Sequence, residues 1–244
     1  MDGVTQPLAL VIGGTGAIGT AVIDRLVKRG HAVVATYRNQ ERPVRDGMTA
    51  WAGYDADEPA MAAAVAEAVR TDGRPLRTLI YAAGIGSTKR SVADTALDEF
   101  EQLCQANALG FVAIWQATAD LARADGASVV VISSEAARTA GSGNGPYSAS
   151  KAALETIALT LAKEEAAHGV RVNIVSPSLV ASPMAETMLA HKGIEAPAEY
   201  YAALPFGRAL EAGEVAELVV DVAAGEHWRY ASGQIVRLAA DVGR

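Results

Sequence analysis

The chain predicts an α/β fold: a doubly wound, mostly parallel seven-stranded sheet with helices on both faces. Three observations carry this. Continuously apolar runs of strand length recur, at 8–12 and 129–132 among others, as strands buried on both faces require. Segments of helical period separate them, and strand–helix alternation is the pattern of a parallel sheet. The 244 residues are 50% apolar, enough for a large core without disulfides, and α/β chains of this length commonly form one domain. We therefore expect a single unit over 1–244.

The first strand, Leu8-Ala9-Leu10-Val11-Ile12, runs directly into Gly13-Gly14-Thr15-Gly16-Ala17-Ile18-Gly19. Ile18, Val22, Leu26 and Val27 then form one stripe of a helix that ends at Gly30, and a second strand follows over 32–36. Strand, glycine-rich turn, helix and strand is the context that a dinucleotide fingerprint requires. The glycines permit a tight turn close to a pyrophosphate, and the helix N-terminus supplies free N–H groups and positive dipole. A third strand precedes Asp55. An Ala-rich helix is expected over 61–69, closed by Asp72-Gly73, and a fourth strand over 77–82. Residues 97–121 read as a long helix or a broken pair, with Leu103, Asn107, Gly110, Ile114 and Thr118 near one stripe. The fifth strand is expected over 128–134, a helix over 152–167 ending at Gly169, the sixth strand over 170–176 and the seventh over 234–239. Residues 178–204 have no strong period and include Pro183 and Pro197. They follow a strand's carboxyl end, where ligands bind in open α/β sheets, so a substrate lid of short helices is expected there.

Tyr147-Ser148-Ala149-Ser150-Lys151 follows Gly145-Pro146. Proline suits a first helical position, and residues four apart share one helix face, so the phenol and the ammonium lie together near a helix start. A free tyrosine has a pKa of ~10. A cation ~4 Å away at an effective dielectric of ~20 is worth about 4 kcal/mol, or roughly three pKa units. That is enough to bring the phenol to working pH as a general acid or base.

Composition excludes other classes. The net charge is −7 with no basic cluster, which argues against a nucleic-acid partner. The one cysteine, Cys104, excludes an internal disulfide and sits in a helical pattern that suggests core packing. His31, His168, His191 and His227 lack ligand spacing, so no metal is expected. There is no signal-like segment and no apolar run of spanning length. A cytoplasmic protein without a membrane partner is expected.

The glycine turn Gly13-x-x-x-Ala17-x-Gly19, then Ser134, then Tyr147-x-x-x-Lys151, resembles the short-chain dehydrogenase/reductase family, and within it the 3-oxoacyl reductase-like branch. The likeness spans nearly the whole chain. Asp55-Ala56 resembles the family's adenine-contacting Asp, and Tyr81-Ala82-Ala83-Gly84 stands in place of Asn-Asn-Ala-Gly. Asn107 matches the family's helix Asn, Val129 to Ser134 its fifth strand ending in the catalytic Ser, and Arg171 to Ser178 its sixth strand and following turn. Ser232-Gly233-Gln234 resembles its Thr-Gly-Gln.

The resemblance implies a Rossmann-type fold and a set of roles. Tyr147 would donate the proton; Lys151 would lower its pKa and hold the nicotinamide ribose. Ser134 would orient the carbonyl, and Asn107 would hold a water on a proton path to Lys151. Gly13, Thr15, Gly16, Ala17, Ile18 and Gly19 would line the pyrophosphate, and Tyr37, Arg38, Asp55 and Ala56 the adenosine. Ala83, Gly84, Pro177 and Val180, with Tyr147 and Lys151, would meet the rest of the cofactor. Departures from the pattern are Ile12 for a Thr, Ala17 for a Gly, Tyr81-Ala82 for Asn-Asn, Ser178 for a Gly, and Ser182 where a Thr is common. Tyr81-Ala82 removes two polar groups that usually tie the fourth strand to its surroundings.

Tyr37-Arg38 stands where NAD-selective members carry an acidic residue. With no carboxylate there to repel a 2′-phosphate, and a guanidinium able to grip one, NADP(H) is expected over NAD(H). The expected activity is interconversion of a small ketone and a secondary alcohol. Alternatives are a 3-oxoacyl-[acyl-carrier-protein] reductase, an NAD-linked alcohol dehydrogenase, and, from another class, a non-catalytic dinucleotide-binding regulator. A homotetramer or homodimer is expected from the family's habit of pairing long helices. The substrate loop 136–145 is small and polar, with Arg138, Ser142 and Asn144, whereas the lid residues Met184, Met188, Leu189, Tyr200 and Tyr201 suit an apolar or ring-bearing substrate.

Overall fold

A computed structural model of the chain describes residues 6–39 and 42–239. The expected unit 1–244 also takes in 1–5, 40–41 and 240–244, which lie outside the described residues. Seven strands form one sheet: β1 Leu8–Ile12, β2 Ala32–Tyr37, β3 Met48–Gly53, β4 Leu76–Tyr81, β5 Ser128–Ile132, β6 Arg171–Pro177 and β7 Ile235–Leu238. They pair in the order β3-β2-β1-β4-β5-β6-β7, and every pairing is parallel. Every residue of β1 and β5 is buried, which explains their unbroken apolar runs.

The α-helices among the described residues are α1 Ala17–Lys28, α2 Met61–Asp72, α3 Leu97–Cys104, α4 Gly110–Asp125, α5 Ala136–Thr139, α6 Gly145–Glu164, α7 Pro183–Ala190, α8 Pro197–Ala202 and α9 Ala212–Ala224. Alternation along the strands divides the core in two. Leu8, Leu10 and Ile12 pack with Val65, Phe111, Ile114 and Leu154 of α2, α4 and α6. Ala9 and Val11 pack with Val22, Leu26, Val215 and Val219 of α1 and α9. The winding changes direction between β1 and β4. The carboxyl ends of these two strands therefore open a crevice, the usual ligand position in such sheets.

One open reading is decided, and two elements differ from expectation. The 97–121 segment is a broken pair: a π-helical turn, Gln105–Leu109, separates α3 from α4. Two tyrosines secure the break. Tyr81 Oη donates to the Ala106 carbonyl at 2.8 Å, and Tyr54 Oη to the Gly110 carbonyl at 2.8 Å. Tyr81 also packs edge-on against Phe111, with ring centroids 5.5 Å apart. The tie between β4 and its surroundings is therefore made by a phenol. Helix α6 starts at Gly145, with Pro146 in its first turn as the proline suggests, so the start at 152 read for the helix body falls seven residues late. Helix α9 has no counterpart in the sequence reading. It opens with a reciprocal capping box between Glu211 and Glu214. Cys104 is only half-buried. Among the described residues no helix is long and apolar enough to cross a membrane.

Candidate active site

The glycine turn forms one wall of a groove of about 420 Å³. Gly13 has φ +80°, and a side chain on it would meet the Ala83 nitrogen at 2.7 Å. A Cβ on Gly19 would stand 2.1 Å from the Gly13 carbonyl oxygen, so helix and turn approach closely only with glycine there. The Gly13 amide donates to Thr36 Oγ1 at 2.9 Å. The hydroxyl that Ile12 cannot supply thus comes from β2, while Ile12 is buried in the core. No side chain caps the amides at the start of α1, which leaves that N-terminus to an anion.

Thr15, Gly16, Ala17 and Ile18 continue this wall, Tyr37, Arg38, Asp55 and Ala56 close one end, and Ala83 and Gly84 lie across from it. Arg38 is bonded to two carboxylates, Nε to Asp55 at 2.9 Å and Nη2 to Asp57 at 3.2 Å. Burial would push the Asp55 carboxyl up, but the Asp57 amide and the Arg38 guanidinium outweigh it and hold the pKa below its ordinary value. Arg42, which sequence reasoning did not single out, donates to the Thr15 carbonyl at 3.2 Å. A glycine cradle, an uncapped helix start and a strand-end guanidinium fit a nicotinamide dinucleotide.

The groove runs into a second cavity of about 310 Å³; Ile18, Ala82, Ala83, Gly84, Ser182 and Met184 line both. Ser134, Tyr147, Lys151, Pro177 and Val180 all reach this cavity. Ser134 follows β5, and its Oγ accepts from the Ala136 amide at 3.2 Å. Lys151, only 4% exposed, donates from Nζ to the Ile132 carbonyl at 2.9 Å and lies 6.0 Å from the Tyr147 ring centre. Burial pushes its pKa down to about 8, with Glu155 opposing weakly. Burial likewise pushes the Tyr147 phenol above its ordinary value, while the Ser134 hydroxyl bonded to it pulls the other way. The expected lowering of Tyr147 by Lys151 is not found: burial raises the phenol, and only Ser134 opposes it. Desolvation of phenol and ammonium in one pocket penalises both charged forms.

Asn107 sits in the π-turn, fully buried. Its Nδ2 donates to Ser150 Oγ at 2.9 Å and to the Ile85 carbonyl at 3.1 Å, and its Oδ1 accepts from the Ile85 amide at 2.7 Å. Both amide hydrogens are engaged, so a water on a path to Lys151 would have to use the main-chain carbonyl or the second lone pair of Oδ1. A Cβ on Gly84 would come within 2.9 Å of Asn107 Oδ1 and 3.3 Å of Lys151 Nζ. Glycine shortly after β4 lets these two side chains draw together.

The 178–204 segment forms α7 and α8. Met184, Met188, Leu189 and Tyr200 line the cavity; Tyr201 is not among its walls. Ser182 caps α7, accepting from the Ala185 amide at 3.2 Å. Of the 136–145 loop, Ala136, Thr139 and Asn144 reach the cavity, whereas Arg138 bonds Glu135 at 2.6 Å. Sequence reasoning missed Lys89, Glu135 and Lys192, all cavity-lining. The signal available for Lys89 was a basic pair, Lys89-Arg90, shortly after Gly84, which follows β4.

The family model described as short chain dehydrogenase matches residues 7–193. The chain is 30% identical over 250 residues to the "NADPH-dependent aldehyde reductase-like protein, chloroplastic" of Arabidopsis thaliana, spanning 94% of this chain and 91% of that protein. It is 29% identical over 240 residues to "Carbonyl reductase family member 4" of Danio rerio, spanning 94% of each. Its fold superposes on the crystal structure of a single-substitution variant of actinorhodin polyketide ketoreductase with NADPH at a TM-score of 0.87, with 25% identity and 96% of each chain covered. Family model, relatives and fold converge on one assignment: the chain is an oxidoreductase that belongs to the short-chain dehydrogenase/reductase family.

Proposed function

We propose that this enzyme interconverts a small ketone and a secondary alcohol with NADP(H). The observation that carries the proposal is the continuity of the glycine-walled groove with the cavity that holds Ser134, Tyr147 and Lys151. When bound, reduced nicotinamide supplies a hydride to the carbonyl carbon. The protein's residues do the rest. Ser134 donates a hydrogen bond that fixes the carbonyl oxygen. Tyr147, protonated at neutral pH because burial raises its pKa, delivers its proton to the developing alkoxide. The Lys151 ammonium steadies the phenolate left behind and grips the ribose. Residues 178–204 act as a lid, closing methionine and tyrosine side chains over an apolar substrate.

Arg38 supports NADP(H): it stands at the end of β2 and can exchange Asp55 and Asp57 for a 2′-phosphate. The Arabidopsis relative, named an NADPH-dependent aldehyde reductase-like protein, points the same way. A free ketone is favoured over a carrier-bound acyl chain. Arg123, the basic residue before β5, bonds the buried Glu165 carboxylate at 2.8 and 2.5 Å, at the opposite end of the strands from the cavity. The regulator reading is disfavoured because such chains commonly lose the Tyr or the Lys.

The test is a titration of the purified protein with NADPH and NADH, then a carbonyl panel followed at the nicotinamide absorbance. We expect tighter NADPH binding, a preference that falls at least tenfold in Arg38→Ala, and turnover of free ketones. Tighter NADH binding, or an unchanged preference in Arg38→Ala, would overturn the cofactor assignment. Dinucleotide binding with no turnover of any carbonyl would favour the regulator.

A further inference from the structure

The cavity that holds Ser134 and Tyr147 also holds two lysines to which the catalytic chemistry gives no task. Lys89 Nζ lies 5.8 Å from the centre of the Tyr147 ring, on a segment unrelated to α6, and donates to the carboxamide oxygen of Asn144. Lys192, just past α7, lines the same cavity and is near enough to act electrostatically on Lys89. Among the described residues neither ammonium has a carboxylate within 4.0 Å. Among the described residues the cavity's one carboxylate is Glu135: Arg138 bonds its Oε1 at 2.6 Å, and its Oε2, which has no hydrogen-bond partner, faces Arg237 at 3.9 Å. With Lys151, three lysines and one ion-paired carboxylate line a pocket whose apolar walls include Met184, Met188, Leu189 and Tyr200.

The backbone adds an independent sign. Lys89 has φ +65°, the left-handed region that a long side chain adopts at a cost. Such strain persists where surrounding contacts enforce it, and it clusters at ligand sites. Here Gly143 abuts it: a Cβ on that glycine would stand 3.0 Å from the Lys89 carbonyl oxygen. The strained turn throws the Lys89 side chain inward, where it is half-buried, and desolvation with the neighbouring Lys192 charge brings its pKa down to about 8. The group remains a cation at neutral pH. A desolvated cation with only neutral hydrogen-bonding partners gains most from an incoming anion.

Resting on the reductase reading above, we propose that the substrate is an oxo acid, a ketone whose own carboxylate binds Lys89, with Lys192 contributing charge at the mouth, while Ser134 and Tyr147 hold the carbonyl. The apolar lid residues would cover the carbon chain between the two ends. A single carboxylate is favoured over a phosphate ester, because one half-buried ammonium and an apolar wall match one negative charge.

Two measurements on the full chain test this. Hexanoate, which carries no ketone, should bind the protein saturated with NADP⁺ at least tenfold tighter than hexanamide, read by calorimetry. Lys89→Met should abolish that difference and Lys89→Arg should keep it; if Lys89→Met does not fold, Lys89→Gln takes its place. This arm needs no turnover, so it stands apart from any failure of the reductase reading. In the kinetic arm, oxohexanoates with the ketone at carbon 2, 4 or 5 are compared with their methyl esters. At one position or more the acid should exceed the ester in kcat/KM by at least tenfold, and Lys89→Met should erase that ratio. Equal binding of acid and amide, esters preferred at every position, or a ratio untouched in Lys89→Met would overturn the proposal. The last result would assign Lys89 to Tyr147 rather than to the substrate. Preference for a ketone phosphate over every oxo acid would overturn the choice of carboxylate.

Discussion

Lys151 illustrates how one side chain joins fold and chemistry. Its ammonium is almost sealed from solvent, and its pKa falls from 10.5 to about 8 because burial penalises the charge. The unfolded chain keeps that proton up to the higher value; the folded chain releases it from the lower one. Between these limits the unfolded state binds more protons, so this contribution rises in favour of folding as pH increases. Relative to Lys151→Met, the wild type should gain up to about 3 kcal/mol of unfolding free energy between about pH 7.5 and 10.5, measured by urea denaturation. A difference independent of pH would contradict the assigned burial. Tyr147 and Lys151 were legible because a four-residue spacing puts both on one helix face, and the glycines because they join a strand to a helix; Ser134 was placed only by its resemblance to the family's serine. Lys89 was not legible. Its approach to Tyr147 depends on a strained loop folding back against Gly143, and no local periodicity encodes that. The same applies to Thr36, whose hydroxyl reaches the Gly13 amide only because β2 lies beside β1.

The π-turn between α3 and α4 positions Asn107 and is held by phenols from outside the helix. Removing the Tyr81 hydroxyl would leave a part-buried carbonyl, Ala106, without that partner. Tyr81→Phe should therefore cost about 1–3 kcal/mol of stability, seen as a lower denaturation midpoint at unchanged slope. A neutral substitution would mean that the turn holds itself. The sequence allowed a break in 97–121 but could not locate it, since a π-turn keeps helical composition and changes only the hydrogen-bond register. Helix α9 escaped for a different reason. Its Glu211 cap is not among the usual Ser, Thr, Asp and Asn caps, and Leu218-Val219-Val220 reads as readily as strand. The short helices expected over 178–204 are present, with Pro183 and Pro197 where α7 and α8 begin.

The whole sheet was legible because seven alternating elements leave few right-handed, parallel arrangements. Assembly is less so. Of the apolar residues on α6, Ala158 is buried in the core, while Ala153 and Ile157 are only partly covered. Exposed Leu97 and Leu109, at the start of α3 and the end of the π-turn, offer further apolar surface near α4. We expect sedimentation at micromolar concentration to give a dimer or tetramer of the 25.2 kDa chain; a monomer alone would count against it. The central claim, that the cleft performs carbonyl reduction with Tyr147 as proton donor, is tested most directly by Tyr147→Phe. NADPH affinity should stay within a few-fold of wild type while kcat/KM for a turned-over ketone falls ~10²–10⁴-fold; near wild-type turnover in this variant would contradict the account.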